Sequence, residues 1–177
     1  LVGRVRAGLL LGDVVLDAWE NVLDADPLLS DDVDVEGNNL TLTARNGSIG
    51  ETDTLCLGTF NAIEVITYAA PADPLNAGDL LATALNGAVV VNATVAGNAT
   101  YQTDSLVLAA DGDLDVSAFP LAFTNLGLVA DADGDGIGTL TVGPSLAVAG
   151  DLWLSGANIL TTGIVLDFTA NRLLFDS

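Results

Sequence analysis

Between residues 131 and 138 the chain reads Asp131-Ala132-Asp133-Gly134-Asp135-Gly136-Ile137-Gly138. Carboxylates at the first, third and fifth positions, followed by glycine at the sixth, make the opening of an EF-hand-type loop. A hard divalent cation needs several oxygens converging on one point, and glycine lets the backbone wrap around it. The expected ligands are the side chains of Asp131, Asp133 and Asp135 and the carbonyl of Ile137, and the expected ion is Ca²⁺. The twelfth position is Val142, where the full pattern has a bidentate glutamate. The set is therefore incomplete unless another segment adds a carboxylate. The competing reading is a solvated, acidic turn.

Other acidic groups suggest less. Asp24, Asp26, Asp31, Asp32 and Asp34 cluster in a stretch read as a solvated loop. Asp111, Asp113 and Asp115 alternate, as the outward face of a strand does. Two carboxyl groups can hydrolyse a glycoside, but one must be made a strong acid or base by its surroundings, and no pair in the sequence is marked in that way. The chain has no histidine and no lysine, which removes histidine-dependent triads, histidine zinc sites and lysine nucleophiles. A non-catalytic protein is expected, with a polysaccharide-active enzyme as the remote alternative. Asn39, Asn46, Asn92 and Asn98 each open an Asn-X-Ser/Thr triplet, the acceptor pattern for N-glycosylation. Thr41 and Thr43 form a Thr-X-Thr pair, as do Thr139 and Thr141, but the pair is too sparse for an ice-binding face.

The charge sets the partners. Twenty-four acidic residues against four arginines give a net charge of −20. Nucleic acids and anionic lipids need clustered basic side chains and are poor partners. Cations and cationic surfaces suit the chain better. Half of the residues are hydrophobic, so a packed core is expected despite the charge. No apolar run is long enough to span a bilayer, and no membrane insertion is expected. The single cysteine, Cys56, lies between Leu55 and Leu57 and reads as a small core residue.

The elements that must carry these groups are strands. One template recurs: a polar residue or glycine, any residue, aliphatic, any, aliphatic, any, small. Gly12 to Ala18, Asn38 to Ala44, Asp104 to Ala110, Gly112 to Ala118 and Gly150 to Gly156 match it, and Gly78 to Ala84, Gly87 to Ala93 and Gly138 to Val142 match loosely. Its period of two gives one apolar and one wet face. Leu40, Leu42, Leu106, Leu108, Leu114, Val116, Leu152 and Leu154 should face a continuous core. Thr41, Thr43, Asp113, Asp115, Trp153 and Ser155 should face outward. Repetition of one such unit along a chain indicates a repeat architecture. The spacing is irregular, which suits a parallel β-helix with variable turns of roughly 20 to 25 residues per coil. The expected fold is all-β, a right-handed parallel β-helix (β-solenoid) of about seven or eight coils, one segment over residues 1–177. A jelly roll or β-sandwich is the alternative, since it too has short alternating strands.

The run Val33-Asp34-Val35-Glu36-Gly37-Asn38-Asn39-Leu40-Thr41-Leu42-Thr43-Ala44-Arg45-Asn46-Gly47-Ser48-Ile49-Gly50 resembles the repeats of filamentous-haemagglutinin-type adhesins. Gly12 to Ala18, Asp104 to Ala118 and Gly150 to Gly156 echo a second phrase of those repeats. The resemblance implies a right-handed parallel β-helix within a very large secreted or surface-attached protein. The expected function is an extracellular or cell-surface stalk, fibre or adhesin scaffold that meets a host or matrix surface. A calcium-dependent carbohydrate- or protein-binding β domain is the alternative. Both ends of the sequence read as coils awaiting a neighbour, either a longer chain or a second copy stacked head to tail.

Overall fold

The computed structural model describes residues 5–6, 12–24, 33–52, 60–69, 77–118, 120–144, 146–161 and 172–176. Among them every regular element is a β-strand, numbered β1 to β19 in chain order. The chain divides into two compact units, Leu1–Glu51 with Phe60–Thr103 and Thr52–Thr59 with Asp104–Ser177.

In the first unit one row of strands runs β1 (Val5–Arg6), β3 (Val35–Gly37), β7 (Ile63–Thr67) and β9 (Ala88–Thr94). A second row runs β2 (Val14–Ala18), β4 (Leu40–Ala44), β8 (Leu80–Ala84) and β10 (Ala99–Gln102). The short strands β5 (Glu51–Thr52) and β6 (Phe60–Asn61) fall between β4 and β7 in sequence and pair with each other. In the second unit the longest row is β11 (Ser105–Ala110), β14 (Asn125–Ala130), β17 (Asp151–Ser155) and β19 (Arg172–Asp176). Beside it are β12 (Leu114–Asp115), β15 (Thr139–Val142) and β18 (Asn158–Thr161), and the pair β13 (Leu121–Phe123) and β16 (Leu146–Val148).

The ladders between these strands are parallel. A jelly roll or sandwich joins neighbours antiparallel through hairpins, so that alternative does not describe the strands seen here. Parallel neighbours need a long return path. In the second unit Leu106, Leu126, Leu152 and Leu173 are successive register partners, steps of 20, 26 and 21 residues. These steps are close to the coil length expected from the sequence. In the first unit Val5, Val35, Val65 and Ala93 are partners, with longer steps of 30, 30 and 28 residues.

Register explains which residues are buried. Leu106, Leu126 and Leu152 lie directly above one another and are at most 1 % exposed, and Leu128 and Leu154 in the next inward row are fully buried. Leu40, Leu42, Leu80 and Ala82 form the matching rows of the first unit. Each buried leucine contributes about 1.5–3 kcal/mol through removal of its surface from water. Of the expected core set, Leu40, Leu42, Leu106, Leu108, Val116, Leu152 and Leu154 are buried, and Leu114 is half-buried. Asp113 and Asp115 are exposed, and Thr41, Thr43 and Ser155 are half-buried.

Trp153 departs from expectation: it is buried at 6 % exposure. Its row across the sheet is Val107, Gly127, Trp153, with Val107 at 1 %. A Cβ at Gly127 would lie 3.1 Å from Val107 and 3.4 Å from the Trp153 ring. The glycine leaves room for the indole, so this face of the sheet is packed as well. Strict alternation fails where both faces of a parallel sheet are covered.

A polar ladder fixes the strand starts. Asp13 Oδ1 accepts the backbone N–H of Asn39 at 3.2 Å and its Nδ2–H at 3.1 Å. Asn39 Oδ1 accepts the N–H groups of Gly78 and Asp79 at 3.2 and 3.1 Å. Asp79 Oδ1 in turn accepts from Asn98 N at 2.8 Å and Nδ2 at 3.2 Å. The second unit repeats the device: Asn125 Nδ2 donates to Ser105 Oγ at 3.0 Å, and Asp151 N donates to Asn125 Oδ1 at 2.9 Å. Asp13, Asn39, Asp79, Ser105 and Asp151 sit at the second position of their template copies, the one that admits any residue in the sequence pattern.

Candidate functional site

The Asp131–Gly138 segment joins β14 to β15 in one tight turn. Its backbone is bent into the left-handed region at Asp131 (φ 60°), Gly134 (72°) and Gly136 (82°), and the two glycines accept that geometry without a Cβ penalty. Gly136 N donates to Asp131 Oδ1 at 3.1 Å, and Ile137 N donates to Asp135 Oδ1 at 2.7 Å. The result brings one carboxylate oxygen each from Asp131, Asp133 and Asp135 within 4.8 Å of one another. Asp131 is half-buried, and Asp133 and Asp135 are exposed. Ile137, whose carbonyl was expected as a fourth ligand, has 71 % of its surface exposed. Val142 is 1 % exposed at the end of β15, so the twelfth position serves the core. Three anionic oxygens so close together suit a hard cation held by carboxylates, carbonyls and water.

A second carboxyl group assembly escapes sequence reading. Of the cluster read as a solvated loop, Asp26, Asp31 and Asp32 lie outside the described residues, as does Cys56. Asp34 is buried, at 6 % exposure, and Asp24 is half-buried. The reading of a solvated loop is therefore wrong for Asp34. Parallel pairing of β3 with β7 sets Val35 beside Val65, which brings the preceding residues, Asp34 and Glu64, side by side. Asp34 N donates to the Glu64 carbonyl at 3.1 Å and Glu64 N donates to Asp34 Oδ2 at 3.0 Å, so the two acidic residues meet side by side. Burial, then the hydrogen bond and charge of Asp34, push the Glu64 carboxyl up to about 8. Burial also raises Asp34, and the nearby Asp24 carboxylate adds to both shifts. Glu36 on the same strand is 3 % exposed and accepts a hydrogen bond from Tyr68 Oη at 3.0 Å. The residues that meet are 30 apart in sequence, so no local motif marks them, and only knowledge of the register could have found the pair.

The glycosylation triplets are partly structural. Asn39 and Asn98 both spend their side-chain N–H on the ladder, donating to Asp13 and Asp79. Asn46 is exposed and accepts from Asn86 Nδ2 at 3.3 Å, and Asn92 is half-buried.

The strand rows also have ends. β19 is the last strand of its row. Leu173 and Phe175 continue the buried rows of Leu152 and Leu154, yet they are 42 % and 53 % exposed. Of the four arginines, Arg45, just after β4, pairs with Asp17 on β2, and Arg172 on β19 pairs with Asp151 on β17. Arg4 lies outside the described residues.

Comparison with known protein families, with curated proteins and with solved structures finds no match for this chain.

Proposed function

We propose that the chain is a non-catalytic, extracellular β-solenoid segment, a right-handed parallel β-helix that serves as a stalk, fibre or adhesin scaffold and stacks end to end on further copies. The observation that carries this reading is the row Leu108, Leu128, Leu154, Phe175, in which only the last member is more than half exposed. A parallel edge strand offers unpaired N–H and C=O groups to another chain, and an apolar row that ends in the open offers it a core to continue. Such a contact is heterologous and generates an open filament unless it closes. Sedimentation and negative-stain microscopy at rising concentration test the reading. Filaments or a concentration-dependent size increase are expected, and the double substitution Leu173→Asp, Phe175→Asp should leave monomers. A wild-type chain that stays monomeric at high concentration overturns the stacking.

Within this reading the Asp131, Asp133 and Asp135 turn binds Ca²⁺ and stiffens the connection from β14 to β15. The supporting observation is the convergence of three carboxylate oxygens within 4.8 Å. Millimolar Ca²⁺ should raise the thermal midpoint, because binding only to the native state stabilises it. The rise must exceed that from Na⁺ at equal ionic strength, since any salt screens a chain of net charge −20. No excess over Na⁺ would make the segment a solvated turn.

A further inference from the structure

We propose that Asp34 and Glu64 form an acid-favoured clasp between β3 and β7, closed by one shared proton and loosened when that proton is lost. The register sets two acidic residues side by side on β3 and β7, with Glu64 N–H bonded to Asp34 Oδ2 at 3.0 Å. Two ionised carboxylates are acceptors only, so their carboxyl groups can bond each other only while one of them is protonated. The surroundings favour that state. Asp34 is 6 % exposed, and a second negative charge at that depth costs desolvation as well as repulsion.

Among the described side chains no cation is recorded at the pair; Arg4, which precedes Val5, lies outside the described residues. Asp24 adds a third carboxylate. On β3, Glu36 is engaged by Tyr68. On β9, the backbone partner of Glu64 is the neutral Asn92. On β1, Val5 and Arg6 are the backbone partners of Val35 and Glu36. On β2, Asp17 is committed to Arg45.

The direction of the pH effect follows. The Glu64 carboxyl sits near 8 in the folded chain, against 4.5 ordinarily. Between those values the folded state holds a proton that the unfolded state has released, so the clasp's contribution falls as pH rises. It is fully present below about 4.5 and gone once the pH has passed about 8. A carboxyl pair of this kind titrates jointly, and the upper value belongs to the pair.

Carbon-13 NMR of the full chain, labelled at Glu and Asp carboxyl carbons, reads the pair directly. A resonance titrating near 8 and absent from Glu64→Gln is expected. In parallel, the thermal midpoint of the wild type should drop from pH 5 to pH 9 by more than that of Glu64→Gln, which keeps the hydrogen-bonding shape without the charge. The exposed control Glu20→Gln should keep the wild-type slope. A Glu64 carbon that titrates in the ordinary carboxylate range of about 4.3 overturns the proposal, as does an unchanged slope in Glu64→Gln. Should that variant not fold, the wild-type titration decides alone.

Discussion

The two acidic assemblies solve the same problem in opposite ways. Asp34, just before β3, and Glu64 on β7 are drawn together by sheet register, and Asp34 is buried. Asp131, Asp133 and Asp135 belong to one turn, are drawn together by backbone curvature, and stand mainly in water. Burial leaves neutralisation by a proton as the cheapest response to like charge. Exposure leaves the charges in place, where solvent screens them or a cation bridges them. The difference lies in the depth of the backbone that carries the carboxyl groups, since aspartate occurs in both.

The largest effect in either region should come from the apolar rows beneath the acids. Leu128 is fully buried on β14, the strand that leads into the Asp131 turn. Leu128→Ala should cost about 2–5 kcal/mol in urea unfolding, the cost of a cavity in a packed core. A loss under 1 kcal/mol would mean that the turn and its charges, and not the core, hold that rung. Next in size is the buried pair. Burial raises the Glu64 carboxyl, so losing its proton costs stability, and partial exposure tempers that cost through solvent screening. Glu64→Gln should therefore regain stability at pH 9 and little at pH 5, measured by denaturant midpoints at both values. Equal gains at the two pH values would erase the distinction drawn between the assemblies. The smallest effect is expected at the exposed trio. Calcium at ten times its Kd should add about 1.4 kcal/mol, and Asp133→Ala should abolish that gain while leaving the pH profile of the buried pair unchanged. A pH profile altered by Asp133→Ala would show that the two assemblies are coupled.

Much of the fold was legible because period two is a local signal. The alternation of Leu40 with Leu42 and of Leu152 with Leu154 predicts inward rows, and those rows are buried. The clustering of Asp131, Asp133 and Asp135 was legible for the same reason: their spacing is confined to five residues of one turn. What could not be read depends on register. Trp153 occupies an outward position by alternation, and only its placement beside Gly127 on the neighbouring strand reveals a packed second face. Asp34 lies between Val33 and Val35 in an acidic stretch, and its pairing is with a residue 30 positions away. The first unit's steps of about thirty residues were also hidden, since the template marks where a strand begins and is silent on the length between strands.

That silence has a consequence for how such a chain can change. The Asp13, Asn39, Asp79, Asn98 ladder spans intervals of 26, 40 and 19 residues, yet the same kind of side-chain bond closes each step. Position within a rung is pinned by one short polar residue, and the length of the excursion between rungs is left to vary. Insertions between pinned strands therefore need not propagate a register slip, which would turn every following side chain inside out. Loop closure adds only about 0.6 kcal/mol for each doubling of the excursion. The scaffold is in this sense modular at the scale of a single rung. The 40-residue interval between Asn39 and Asp79 also carries β4 to β7, so a foreign peptide grafted there should be displayed at little cost only where it falls between those strands.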